Sequence, residues 1–233
     1  MTNKIYITQP CLGDTLYCLK IAFKLIEHGY EVYWQVDNKY NWISSYIINN
    51  NLHFHRPELE YLKLDLSHSI EDDHPYDLMT CKYKMIGKTL PQLPEALHNI
   101  DFSDWQKYIK INRNKDKENE LYYNYFGLKD SSRYILANQN YGQGQIREGI
   151  LENIRQVSDL PIIWNQFVGG FTLFDWIKVI ENAVQIHTVD TSIQYIIESI
   201  PIKAEKLFLY PRHPEHTQKA LIDVLKLNWS FAK

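Results

Sequence analysis

The stretch at residues 4–15, KIYITQPCLGDT, decides the fold class, because a short β-rich run leads through a turn into a helical pattern. Apolar residues then recur at the spacing of a helix, at Leu16, Leu19, Phe23 and Ile26. Gly29 ends this pattern, and residues 31–36 (EVYWQV) form a second predicted strand. The chain therefore opens as strand, helix and strand, the unit of a parallel α/β sheet.

The rest of the chain continues this alternation, with a break in the middle. The first half is completed by a helix at 41–50 and strands at 52–55, 61–66 and 76–80. Pro91, Pro94 and a charged helical connector at 115–126 interrupt the pattern. The second half is predicted to contain strands at 133–138, 160–165, 184–189 and 206–210 and helices at 145–157, 172–183, 192–200 and 217–227.

These elements predict an α/β fold of two Rossmann-like parallel-sheet domains, residues 1–110 and 111–233, that face each other across a crevice. Ligands are then expected at the carboxyl ends of the strands.

Composition excludes several classes of protein. The net charge is −3 and no basic stripe is present, which disfavours nucleic acid as a partner. The cysteines (Cys11, Cys18 and Cys81) are odd in number and lack metal-binding spacing, which is typical of reduced thiols in the cytoplasm. We expect no signal peptide and no membrane span, since no window approaches about 18 apolar residues.

Residues 9–15 form the first loop that points to chemistry. Gly13 is expected in a tight turn, and Asp14 in the first turn of the following helix. Such an aspartate also caps a helix and interacts favourably with its positive end, so a structural role stays open. The loop lacks the glycine patterns of dinucleotide-binding and Walker sites, which disfavours a conventional NAD enzyme.

The second loop follows an apolar strand and contains Asp190, Thr191 and Ser192, then Ile193 and Gln194. Free N–H groups at a helix start, with hydroxyls beside them, are typical of a phosphate site. The same residues would also serve as a helix N-cap.

Two arginines lie near the ends of predicted strands. Arg147 follows a glycine loop at 142–144, and Arg212 follows the strand at 206–210. Each arginine either binds a diphosphate or is an ordinary surface residue.

Two further groups of residues stay with alternative interpretations. Trp164, Asn165 and Phe167 could border a nucleotide base or belong to the core. The pair His53-x-His55 is interpreted as structural, because no further metal ligand is found.

The two loops together resemble the heptosyltransferase-like family of inverting GT-B glycosyltransferases. The matching motifs are Leu-Gly-Asp at 12–14, Val-Asp-Thr-Ser at 189–192 and Gly-Phe-Thr-Leu at 170–173. The resemblance covers the first 36 residues and roughly 130–233. Tyr195 stands where the family usually has histidine, and residues 196–199 (IIES) replace an Ala/Gly-rich segment.

The resemblance implies an inverting transfer of a sugar from a nucleotide-diphosphate sugar to a hydroxyl acceptor, such as a glycan or a lipid-linked sugar. Asp14 would be the general base, with no metal and no other cofactor. The residues implied in donor binding are Gly13, Arg147, Asp190, Thr191, Ser192, Ile193, Gln194, Tyr195 and Arg212.

Two alternatives stay open at this point. A nucleotide-sugar epimerase on the same fold would need no acceptor, so products formed from the donor alone would identify it. A non-catalytic nucleotide-sugar-binding or interaction protein is also compatible with the shortened acceptor half and with Tyr195.

Overall fold

The computed structural model of the chain describes residues 3–8, 11–55, 62–65, 100–101, 103–142, 144–212 and 225–232. It divides into two compact units, Met1–Asn112 and Arg113–Lys233. The predicted strand at 76–80 and most of the predicted helix at 217–227 lie outside the described residues.

Unit 1 contains a parallel four-stranded sheet, as the alternating sequence pattern predicts. Its elements are β1 (Asn3–Thr8), α1 (Leu12–Glu27), β2 (Tyr30–Gln35), β3 (Leu52–His53) and β4 (Leu62–Asp65). The strands lie in the order β3-β2-β1-β4, and β1 is paired with both β2 and β4 in parallel. The opening β-rich run and the predicted strands at 31–36 and 61–66 are confirmed, whereas the strand predicted at 52–55 ends at His53.

Helix α1 packs one apolar face into unit 1 and also binds the segment that follows residue 100. Its most deeply buried apolar residues include Leu16, Leu19 and Leu25. The Trp105 ring is fully buried and meets the Tyr17 ring edge to face at 5.3 Å. Lys20 is buried, and its Nζ donates to the backbone of Asp101 and to the carboxylate of Asp104.

The helix predicted at 41–50 is wrong in type and position. The structure has a 3₁₀ helix at Asn38–Ser45 instead. Ser44 Oγ donates to the carbonyl of Asn41 at 2.9 Å, and the Asp37 carboxylate accepts from Lys39 N at 3.5 Å. Short polar side chains that bond to nearby backbone in this way compete with a regular α-helix.

Unit 2 contains a parallel five-stranded sheet. Its strands are β5 (Ile135–Asn138), β8 (Ile162–Trp164), β9 (Gln185–Val189), β10 (Lys206–Tyr210) and β11 (Trp229–Phe231), in the order β11-β10-β9-β5-β8. The connector forms α2 (Lys115–Asn119) and a π-helix (Glu120–Tyr125), and the remaining helices are α3 (Ile150–Val157), α4 (Ile177–Asn182) and α5 (Ser192–Ile197). The sequence analysis did not predict β11.

The predicted helix at 145–157 begins five residues too early. Gln145–Ile146 is a short strand, β7, that pairs antiparallel with β6 (Asn140–Tyr141). Gly142 and Gly144 in the intervening turn have φ of 56° and 83°, values that favour glycine. The glycine loop is therefore part of a hairpin, and α3 begins only after it.

The helix predicted at 172–183 is divided into a 3₁₀ turn (Leu173–Trp176) and α4. Thr172 and Asp175, which stand three residues apart, form a capping box at its start, where they are bonded reciprocally. Among the described residues, no helix has both the length and the apolar character needed to cross a bilayer.

Glu198, directly after α5, fixes the segment that leads to β11. Its buried carboxylate accepts hydrogen bonds from Lys226 N at 2.8 Å, Leu227 N at 3.2 Å and Trp229 Nε1 at 2.6 Å. The Glu198 carboxylate is thus stabilised by three neutral N–H donors, and none of these three bonds comes from a cationic side chain. Residues 225–227, predicted as the end of a helix, are irregular, and their amides are used for this contact.

Candidate functional site

Asp14 lies in the first turn of α1, shortly after the carboxyl end of β1. It is the third residue of the helix and is half-buried. The N-cap is Cys11, whose backbone carbonyl accepts from Thr15 N at 2.9 Å. Asp14 is therefore not the capping residue. Gly13 is the second residue of α1, so the tight turn predicted for it is wrong.

The carboxyl edge of the sheet in unit 1 also contains a thiol and a phenol. Cys11 is exposed, and Tyr40 lies in the 3₁₀ helix that follows β2. Burial raises the pKa of Tyr40, and the positive charge of Lys39 opposes the rise. This edge therefore carries a carboxylate with two further titratable side chains.

In unit 2, Asn138 connects the ends of two neighbouring strands. It closes β5, is buried, and its Nδ2 donates to the hydroxyls of Thr188 and Thr191, each at 3.1 Å. Thr191 is the N-cap residue of α5 but makes no side-chain capping bond. The N-cap alternative is therefore confirmed for the position of Thr191, but its hydroxyl accepts from Asn138 instead of bonding to a helix amide.

The guanidinium groups of Arg147 and Arg212 are both held by backbone carbonyls near the carboxyl end of β10 and of its neighbour β9. Arg212 Nε donates to the Asp190 carbonyl at 2.7 Å, and the Asp190 carboxylate lies 3.9 Å from the same nitrogen. Arg147 Nε donates to the carbonyl of Pro211 at 3.2 Å. Arg147 and Arg212 are thus oriented by backbone acceptors that directly follow two neighbouring strands, β10 and β9.

The remaining residues of the second loop are mostly interior. Ser192 is half-buried, whereas Ile193, Gln194 and Tyr195 are buried. Neither polar atom of the Gln194 amide has a hydrogen-bond partner among the residues that the structure describes. Leaving such a buried group unpaired costs about 1–3 kcal/mol.

A chain of buried polar side chains runs beneath this edge. His187 Nδ1 lies 2.8 Å from the Tyr210 hydroxyl, and its other ring nitrogen contacts the Gln185 amide. Burial raises the pKa of Tyr210 to about 12, and Arg147 opposes the rise. Burial lowers the pKa of His187 to about 4, so the imidazole is neutral at pH 7.

Acidification is expected to destabilise unit 2 through His187. Its pKa is about 4 in the folded protein against 6.5 ordinarily, so only the unfolded chain takes up the proton between these values. The free energy of unfolding is therefore unaffected by the protonation of His187 above pH 6.5. It falls as the pH is lowered from 6.5 toward 4, by about 3 kcal/mol in total. Urea unfolding of the wild type and of His187→Gln across this range measures it. Parallel loss of stability in both proteins would contradict the prediction.

The histidine pair in unit 1 has structural contacts. His53 Nε2 lies 3.1 Å from a Glu31 carboxylate oxygen, and both His53 and His55 pack against the Tyr33 ring. Among the described residues, no group of three or more His, Cys, Asp or Glu side chains could hold a metal ion. His53 therefore contributes to the packing of the sheet edge.

The structure brings together most of the predicted donor-binding residues. Arg147, Asp190, Thr191 and Arg212 lie at one edge of the sheet in unit 2, whereas Gly13 and Asp14 belong to unit 1. Asn138 is not among the predicted site residues, although a polar residue that closes a buried apolar strand is a recognisable signal. The described residues define a protein of two α/β units with polar clusters at the carboxyl ends of parallel strands.

Solved glycosyltransferases have the same fold. Two structures of TibC each match 90% of this chain at a TM-score of 0.50. One is named as an iron-containing dodecameric glycosyltransferase from enterotoxigenic E. coli and is 8% identical to this chain. The other is named as a dodecameric iron-containing heptosyltransferase in complex with ADP-D-β-D-heptose and is 9% identical. This chain spans 58% of the length of those proteins. A family 9 glycosyl transferase from Veillonella parvula matches 90% of this chain and 80% of its own length at a TM-score of 0.48 and 11% identity.

The chain therefore has the α/β fold found in heptosyltransferase-like glycosyltransferases, and the predicted resemblance is confirmed at the level of the fold. No family model matches the sequence, and no curated protein matches it.

Proposed function

We propose that this protein is an inverting glycosyltransferase that takes its sugar from a nucleotide-diphosphate donor and transfers it to a hydroxyl acceptor. The observation that supports this most directly is the pair Arg147 and Arg212 at the carboxyl edge of the sheet, beside the Asn138–Thr191 cluster. The shared fold adds support, since TibC is named as a glycosyltransferase.

The diphosphate of the donor would bind at this edge of unit 2. Arg212 uses only Nε in its hydrogen bond to Asp190, and Arg147 uses Nε and one terminal nitrogen in its bonds to backbone carbonyls. Among the described residues, the other terminal nitrogens make no hydrogen bond. Guanidinium groups oriented in this way suit phosphate oxygens, with which they form strong charge-assisted bonds.

The predicted role of the helix start at Thr191–Gln194 becomes secondary in this proposal. Helix α5 has only six residues, so its dipole offers less than the two arginines. Thr191 adds a hydroxyl, and Asn138 orients it.

Asp14 would act as the general base. Its carboxylate takes the proton of the acceptor hydroxyl while that oxygen bonds to the anomeric carbon and the bond to the diphosphate oxygen breaks. Attack from the face opposite the leaving group inverts the anomeric centre. The developing charge on the diphosphate would be stabilised by Arg147 and Arg212, with no metal ion.

We further propose that the protein is a cytoplasmic enzyme of glycan biosynthesis. Its acceptor is a glycan, a lipid-linked sugar or another hydroxyl compound. The first test of this proposal is a thermal-shift panel of ADP, GDP, UDP, CDP and their sugars. A ligand at about one hundred times its Kd should stabilise the protein by about 2.7 kcal/mol. Failure of every nucleotide to stabilise the protein would contradict donor binding.

Variants test where the nucleotide binds. Arg147→Gln and Arg212→Gln should each reduce the shift, whereas Arg155→Gln, an exposed position on α3, should not. Product analysis with donor and acceptors then separates transfer from the alternatives. An altered sugar formed from donor alone would identify an epimerase, and binding without any product would favour the non-catalytic protein.

A further inference from the structure

The ring of Phe167 is unusually exposed. Phe167 lies in the loop after β8, and the residue is 90% accessible to solvent. The next most exposed large apolar residue among those described, Ile48, is 63% accessible. An aromatic ring of this kind usually contributes far more to stability when buried. Its exposure therefore requires an explanation in terms of the surrounding loop.

The loop that carries Phe167 is fixed on both sides of the ring. Asn165 N donates to the carbonyl of Ala137 at 2.7 Å, and the Asn165 carbonyl accepts from the Asn140 side chain at 3.3 Å. Val168 is buried, and its carbonyl accepts from Phe171 N at 3.1 Å. The backbone on either side of Phe167 is thus fixed, and a rigid loop presents the ring to solvent.

This loop is also joined to the connector. Lys117 Nζ donates to the carbonyl of Gly170 at 2.9 Å. Three hydrogen-bonded positions within six residues make the segment a preorganised platform, and preorganisation reduces the entropy lost on binding.

The strand order places Phe167 at one end of the proposed donor site. Ala137 is paired with Trp164, so the loop begins beside Asn138. Because the order is β10-β9-β5-β8, Arg212, Thr191, Asn138 and Phe167 follow successive strands. Three strand spacings, about 14 Å in total, therefore separate the end of β10, which Arg212 follows, from the end of β8, which Phe167 follows.

A nucleoside diphosphate has the same polarity, with anionic phosphates at one end and a planar base at the other. We propose, on the basis of the proposed function, that Phe167 stacks on the base of the donor nucleotide while Arg147 and Arg212 bind the diphosphate. The ribose then lies over the strand ends between Asn138 and Thr191. Stacking recognises any base by its flat face, so Phe167 contributes affinity for a nucleotide without selecting a particular base.

Calorimetric titration of Phe167→Ala with the best-bound nucleoside diphosphate of ADP, GDP, UDP and CDP, and with inorganic pyrophosphate, tests this orientation. The Kd for the nucleotide should rise about five- to 150-fold, the range that loss of one base–aromatic stack implies. The Kd for pyrophosphate should stay unchanged. Phe167→Trp should keep nucleotide affinity, and Phe167→Leu should lose it, since leucine is apolar but cannot stack.

Ile146→Ala is the matched control, because Ile146 is another exposed apolar side chain of unit 2. An unchanged nucleotide Kd in folded Phe167→Ala would overturn the assignment of the ring, as would an equal loss of pyrophosphate affinity. If the wild type binds no nucleotide, the proposed function itself fails. The two failures are distinguishable, because one is measured in the variant and the other in the wild type.

Discussion

Asp14→Asn is expected to lower turnover by about 10²- to 10⁴-fold, the usual contribution of a positioned general base. The amide keeps the size and shape of the carboxylate but cannot accept the proton of the acceptor hydroxyl. Asp14 lies in the first turn of a 16-residue helix, so losing its negative charge there should cost only about 0.3–1 kcal/mol of stability. The variant should therefore stay folded and should still bind nucleotide.

Steady-state transfer from the donor identified in the nucleotide panel measures this effect. Glu27→Gln is the control, because Glu27 is an exposed carboxylate at the other end of α1 and forms an ion pair with Lys24. Its kcat should equal that of the wild type. If Asp14→Asn turned over at the rate of the control, Asp14 would not be the base.

Arg113→Met is expected to destabilise unit 2 by about 3–5 kcal/mol, the range for removing one partner of a buried ion pair. Arg113 Nε donates to a Glu118 oxygen at 2.7 Å, and a terminal nitrogen donates to Glu181 at 2.7 Å. The hydrogen bonds that Arg113 donates to Glu118, followed by those it donates to Glu181, raise the pKa of Arg113. Without the arginine, Glu118, which is fully buried, has exposed Lys115 as its one ion-pair partner within the described part of the chain.

Urea unfolding monitored by tryptophan fluorescence measures the loss. Lys115→Met is the matched control, because Lys115 is exposed and its Nζ lies 3.6 Å from Glu118, so it should change stability by less than about 1 kcal/mol. Adding Glu118→Gln to Arg113→Met removes the unpaired charge and should recover part of the loss. Equal stability of Arg113→Met and Lys115→Met would show that the ion pairs contribute little.

The sequence predicts much of the fold because strands and helices alternate with clear periodicity. Strands β1, β2 and β10 lie within one residue of their predicted positions. The errors occur where local bonds override the pattern. The 3₁₀ helix at Asn38–Ser45 depends on side-chain contacts with the backbone, and the hairpin before α3 depends on glycines at positive φ.

The candidate site could be predicted only in part. The loop at Asp190 and Thr191 has a recognisable local motif, whereas the role of Asn138 depends on the pairing of β5 with β9, a lateral relation that sequence spacing does not contain. The same reason explains why the sequence leaves two interpretations of Phe167, a border of the nucleotide base or a part of the core. Its position at the end of the proposed site follows from the strand order rather than from its neighbours in the chain.

The contact between Glu198 and the C-terminal segment has an evolutionary consequence. A small residue at position 198, as in the Ala/Gly-rich pattern, would leave the Trp229 indole and two backbone amides without their acceptor. Each such loss is costly on its own, whereas a joint replacement at positions 198 and 229 avoids part of it. These two positions are therefore expected to covary among descendants of this chain, although they stand 31 residues apart.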